Sequence, residues 1–137
     1  MGAVLADQRG SMLPALAVLV LGGTLSLGLS YDLGRWASTW REAAFVADAG
    51  AEAGATALDR GAAYGDTLRL DPALAEVIAF EAAQAARPRP GRKVVSSADL
   101  SRVCVMVVQP FRPSLLRALG IGELSVQAEA CAAPAQG

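Results

Sequence analysis

Cys104 and Cys131 are the side chains best suited to covalent chemistry in this 137-residue chain, which has no other cysteine and no histidine. Histidine is the commonest general base and the commonest metal ligand. Without it, and without a C-x-x-C pair, the two thiols cannot complete a tetrahedral zinc site. Outside the cytoplasm a disulfide between them is the natural reading; two buried thiols acting as small hydrophobes is the other. The carboxylates offer little more. Glu76 and Glu81 fall about 140° apart on a helix and cannot work as a paired acid and base. Asp48 and Glu52 do share a face, as residues of a solvated helix surface do. No nucleophile elbow, phosphate-cradling glycine loop or metal-ligand cluster is present. No metal, no cofactor and no enzymatic activity is therefore expected. A net charge of −1 argues against a nucleic-acid partner.

The remaining chemistry is that of association, and it starts from Gly10–Tyr31, GSMLPALAVLVLGGTLSLGLSY, which holds no charged residue. About 20 apolar residues at ~1.5 Å each cross a hydrocarbon core of roughly 30 Å. We divide the chain into a leader (1–10), a transmembrane segment (11–31), a helical continuation (32–60), a small α+β domain (61–133) and a tail (134–137). The segment is longer than a signal-peptide core and YDLGRW follows it in place of a small-residue cleavage site, so an uncleaved anchor fits unless cleavage precedes the run. Arg9 on one side and Arg35 and Arg41 on the other leave the orientation undecided by charge. Gly22, Ser26 and Ser30 recur every four residues, a spacing that lets helix backbones approach closely in lipid.

No turn signal interrupts the chain after Tyr31. Leu33, Trp36, Trp40, Ala44, Ala47, Ala51, Gly54 and Leu58 step by three or four residues, which predicts one helix from about Met12 to Arg60, roughly 70 Å long. Trp36 and Trp40 suit either the membrane–water interface or the cover of the domain core. GAAYGD (61–66) predicts a turn. Asp71 and Pro72 open a second helix as N-cap and first residue, with Leu74, Val77, Ile78 and Phe80 or Ala82 as its apolar face. RPRPGRK (87–93) ends it and reads as a solvated basic linker, with contact to acidic lipid headgroups as the other reading.

From Lys93 the period changes to two. KVVSS (93–97) suggests an edge strand, SRVCVMVV (101–108) a buried strand, and ELSVQAEAC (123–131) a half-exposed one. Between the last two, a turn and a short helix over 113–119 end at Gly120. If those strands pair antiparallel, Cys104 faces Cys131 and the pairing runs on to Val108 and Gln127. Closing that loop of about 27 residues would stabilise the fold by roughly 3 kcal/mol. The fold class is thus α+β: a long N-terminal helix, a second helix and a small antiparallel sheet.

R-G-S before an apolar run, then YDLGR, then REAAFVADAGAEAGATAL resembles the TadE/TadG-like minor pilins of tight-adherence (Flp-type) pilus systems, and LGIGEL with SVQAEA resembles the end of that family's domain. Asp32-Leu33-Gly34-Arg35 is the most specific piece. The resemblance implies a pilin-like fold and a pseudopilin anchored in the cytoplasmic membrane by a single pass, its N-terminus inside and its domain outside. It implies cutting by prepilin peptidase between Gly10 and Ser11, and packing against other pilins through a helix face carrying Gly22, Ser26, Ser30, Trp36 and Trp40. Ala15 stands where the family has Glu at the fifth mature position, which leaves a processed tip subunit or an unprocessed protein as the two outcomes. A single-span envelope protein serving as accessory subunit of a secretion complex is the alternative function.

Overall fold

The structure, a computed structural model, describes residues 12–59 and 68–134. The leader, the Gly10–Ser11 bond, the turn at 61–66 and the last three residues lie outside the described residues. Helix α1 runs Met12–Gly54 and α2 runs Pro72–Ala86; strands β1 (Lys93–Ala98), β2 (Val103–Phe111) and β3 (Leu124–Ala132) follow, with the short helix α3 (Leu115–Ala118) between the last two strands. The sheet is an antiparallel meander in the order β1-β2-β3, with both long helices on one face. The predicted α+β arrangement is the one found.

Alternation explains the sheet. Val103, Val105, Val107, Gln109 and Phe111 of β2 are buried under the helices, while Met106 and the other intervening residues face away. The strand expected to be buried throughout is buried on one side. It also runs three residues past Val108, because Pro110, with no N–H to donate, sits beyond the end of β1, whose pairing stops at Lys93↔Val108. Pairing with β3 continues through Pro110↔Ser125 to Phe111↔Leu124. On β3, Val126 is buried and Ala128, Ala130 and Ala132 are half-buried against the core, opposite the outward Gln127, Glu129 and Cys131.

α1 ends at Gly54, six residues short of the expected Arg60. Leu58, assigned to the helical stripe, instead bridges Leu70 antiparallel. Asp59 N–H donates to the Arg69 carbonyl and Asp71 N–H to that of Ala57, both at 2.9 Å. Extended pairing around the fully buried Leu70 thus replaces the last helical turns. Asp71 then caps α2 as expected, its carboxylate accepting from Leu74 N–H at 3.2 Å.

The buried face of α2 differs from the expected one. Ala75, Ala79 and Ala83 are fully buried, whereas Leu74, Val77 and Phe80 are 47%, 54% and 40% exposed. The cause lies across the interface. A Cβ at Gly50 would stand 2.8 Å from the Ala79 carbonyl oxygen and 2.9 Å from Ala83 Cβ; one at Gly54 would stand 2.8 Å from Ala79 Cβ and 2.9 Å from the Ala75 oxygen. Gly50-x-x-x-Gly54 and Ala75-x-x-x-Ala79-x-x-x-Ala83 bring the two backbones too close for leucine. Small residues therefore face inward and the large ones turn out.

Candidate functional site

Sequence reasoning places association on α1, and its two halves differ in surroundings. The N-terminal half holds an 18-residue stretch of mean hydropathy 2.0, none of it buried. By length and composition it is a candidate single membrane span. Within it a Cβ added at Gly22 meets nothing within 4 Å. The Ser26 hydroxyl donates to the Gly22 carbonyl and that of Ser30 to Ser26, each at 2.8 Å, and Thr24 bonds back to Val20. These polar groups are satisfied within the helix, so the stripe presents a smooth surface to whatever lies beside it.

Trp36 and Trp40 remain 43% and 46% exposed, and Leu33 57%. They do not cover the domain core, which takes Asp32, Thr39, Ala43, Val46, Ala47, Gly50, Ala51 and Gly54. At 100° per residue Gly22, Ser26, Ser30, Trp36 and Trp40 fall within an arc of about 120°, roughly a quarter-turn from that buried stripe. One side of α1 thus carries all five residues, each exposed and adjoining the edge of the buried stripe.

The junction between anchor and domain is organised by Asp32, which in the sequence is marked only as the first residue of Asp32-Leu33-Gly34-Arg35. Its side chain is 1% exposed. Oδ1 accepts from Ser114 N–H at 2.8 Å, and Oδ2 accepts from Leu115 and Leu116 N–H at 2.8 and 3.1 Å. Asp32 is therefore the N-cap of α3 supplied from another helix, and Ser114 makes no side-chain cap of its own. The Ser114 N–H foremost, then those of Leu116 and Leu115 and the Arg35 charge, hold the Asp32 carboxyl below its ordinary value against the opposing effect of desolvation. Arg35 donates to the Ser114 hydroxyl at 3.0 Å and lies 5.8 Å from the Tyr31 ring centroid and 6.0 Å from that of Phe111. The sequence signal was a lone acid directly after an apolar run, followed one turn later by an arginine.

A second polar set ties the segment after α2 to α1. Buried Gln109 donates to the Thr39 carbonyl at 2.5 Å and accepts from Arg92 Nε and Nη2 at 3.0 and 2.8 Å. Glu42 then pairs Arg92 at 2.6 Å and Arg89 at 2.7 Å, and Arg87 stacks 5.5 Å from the Phe45 ring centroid. RPRPGRK is thus clamped to α1 and is not the solvated linker expected. The pairing satisfies Gln109, which would be costly in the core alone.

Cys104 and Cys131 are disulfide-bonded as directly opposed residues of β2 and β3, with Cα atoms 4.0 Å apart. The bond lies on the sheet face away from the helices. Glu129 comes within 4.8 Å of both sulfurs, but joined sulfurs offer no thiolate to a metal. Glu76 is spent on structure: its carboxylate accepts from Ala98 N–H and its carbonyl from the Ser96 hydroxyl, both at 3.0 Å, which closes the edge of β1. No protein-family model, curated protein or solved structure matches the chain.

Proposed function

We propose that this protein is a membrane-anchored minor pilin or pseudopilin that assembles or primes a tight-adherence type pilus by packing its N-terminal helix against other pilins. The reading is carried by the division of α1: one unbroken helix whose first half holds an exposed apolar stretch while its second half is the spine of a folded domain. An element of that form holds a domain at a fixed distance and angle from the membrane and leaves one helix face for neighbours. The structural employment of Asp32, Glu42 and Glu76 supports a role in assembly in place of catalysis. In this reading the chain crosses the cytoplasmic membrane once with its N-terminus inside, the domain lies in the oxidising space outside, and prepilin peptidase is a partner at Gly10–Ser11.

The test is co-purification of partner pilins with Gly22→Leu and Ser26→Leu from solubilised envelopes. Both variants are expected to insert and fold while losing partners, because a leucine on the stripe holds neighbouring backbones apart. Full retention of partners by both would remove the seam from the reading. Mass spectrometry of the extracted protein tests processing, with a mature N-terminus at Ser11 as the expected outcome.

A further inference from the structure

We propose that the β2–β3 loop, residues 112–123, is a second membrane contact, a preformed wedge whose apolar tip at Leu119 and Ile121 enters the lipid interface beside the end of α1. The inference rests on reading α1 as a span and adds to it a surface that neither hydropathy nor the family resemblance assigns.

Three observations carry it. The first is depth. Leu115 packs against Gly28, where an added Cβ would come within 2.7 Å of Leu115 Cδ2, and Asp32 holds the N–H groups of residues 114–116. Gly28 is three residues before Tyr31, so the Leu115 side chain reaches about 5 Å inside the end of the apolar run while the start of α3 is held at its edge by Asp32. Interfacial elements bury themselves by roughly 5–10 Å.

The second is backbone satisfaction, the condition for non-helical chain at that depth. The leading N–H groups of α3 go to Asp32. Its trailing carbonyls are closed by Gly120 N–H to Arg117 at 3.0 Å and Ile121 N–H to Leu116 at 2.9 Å, a Schellman pattern with Gly120 at φ 89°. The loop's turn of helix thus meets lipid with its leading N–H groups and the Leu115, Leu116 and Arg117 carbonyls paired.

The third is the side chains. Leu119 is 64% exposed and Ile121 42%, in the loop whose Leu115 packs against Gly28 of the apolar half of α1. Arg112 is neutralised by Glu123 at 2.8 Å. Exposed Arg117, two residues before Leu119, has no ion-pair partner among the described residues and is free to reach a lipid phosphate while its stem stays with the apolar tip. Continuity with the span selects lipid as the occupant over a protein face.

The experiment places a single environment-sensitive fluorophore on the full chain in phosphatidylcholine–phosphatidylglycerol vesicles, at Leu119→Cys, at Leu19→Cys within the span, or at Gln84→Cys on α2. Quenching by acyl-chain nitroxide lipid is compared with quenching by aqueous iodide. The Leu119 probe is expected to follow the Leu19 probe, with iodide quenching lower than at Gln84 by roughly threefold. Adding Ile121→Asp is expected to restore iodide access by a similar factor. A Leu119 probe open to iodide like the Gln84 probe overturns the wedge. So does one shielded from both quenchers, which would mean that protein covers the loop. A Leu19 probe untouched by nitroxide lipid would overturn the span and the wedge together, whereas a normal Leu19 result with an open Leu119 overturns the wedge alone.

Discussion

Gly22, Ser26 and Ser30 on the anchor half of α1 are exposed, whereas Gly50 and Gly54 on the domain half are pressed against the backbone of α2. The spacing is the same and the surroundings are opposite. A stripe of small residues permits close approach but does not supply the partner. On the domain half the partner is in the same chain, an alanine stripe of matching period, and the contact is driven by burying apolar surface from water. On the anchor half nothing among the described residues covers the stripe. The difference separates a seam already used in folding from one left exposed.

The largest effect that would sharpen this contrast is Gly50→Leu. Its side chain would meet a backbone oxygen at 2.8 Å and an alanine Cβ at 2.9 Å, neither of which can rotate away. A loss of at least about 3 kcal/mol is expected, read as a drop in melting temperature in detergent. Gly22→Leu, with nothing within 4 Å, should leave that melting temperature unchanged. Equal losses in both variants would break the comparison.

Reduction of Cys104–Cys131 comes next. Opening a loop of 27 residues should cost about 3 kcal/mol on the chain-entropy account. Because the bond lies on the outer face of the sheet, the helix–helix seam should survive it. Free thiols in protein taken from the envelope would refute the bond.

Asp32→Asn is expected to have the smaller effect and to act at the boundary between the two halves. Asparagine keeps the shape but loses the charge that three N–H groups stabilise, and the domain should melt earlier at neutral pH. The pH dependence has a definite sign. Asp32 is held below its ordinary 3.8 in the folded protein, so the unfolded chain takes up the proton first. Its stabilisation is complete above that ordinary value and is lost as pH falls through the lowered one. The variant should lack this acid limb while the Gly22→Leu protein retains it. Identical acid profiles for wild type and Asp32→Asn would show that the junction does not depend on the carboxylate.

Much of this architecture was legible along the chain. The apolar run, the Asp71–Pro72 start of α2, the shift to period two after Lys93 and the register joining Cys104 to Cys131 and Val108 to Gln127 all follow from local chemistry and alternation. Ala47, Ala51 and Gly54 of the α1 stripe are buried as expected, whereas the large residues of that stripe and the expected apolar face of α2 are not, for a common reason. Leucine, valine, phenylalanine and tryptophan mark the core when helices pack at ordinary distance, but here α1 and α2 approach through Gly and Ala, and Trp36, Trp40, Val77 and Phe80 are left outside. The basic run at 87–93 was misread because its partners, Glu42 and Gln109, come from distant parts of the sequence.

The sequence by itself determined what depends on near neighbours and composition: a helix long and apolar enough to span a membrane, and the caps and strands. Only the tertiary structure decided which stripe of small residues is consumed and which is left free, and that Asp32 is the cap of a helix some 80 residues away. The physical reason is that close backbone contacts and cross-chain capping are set by which elements meet. That meeting is a property of the folded whole, and no periodicity along one element records it.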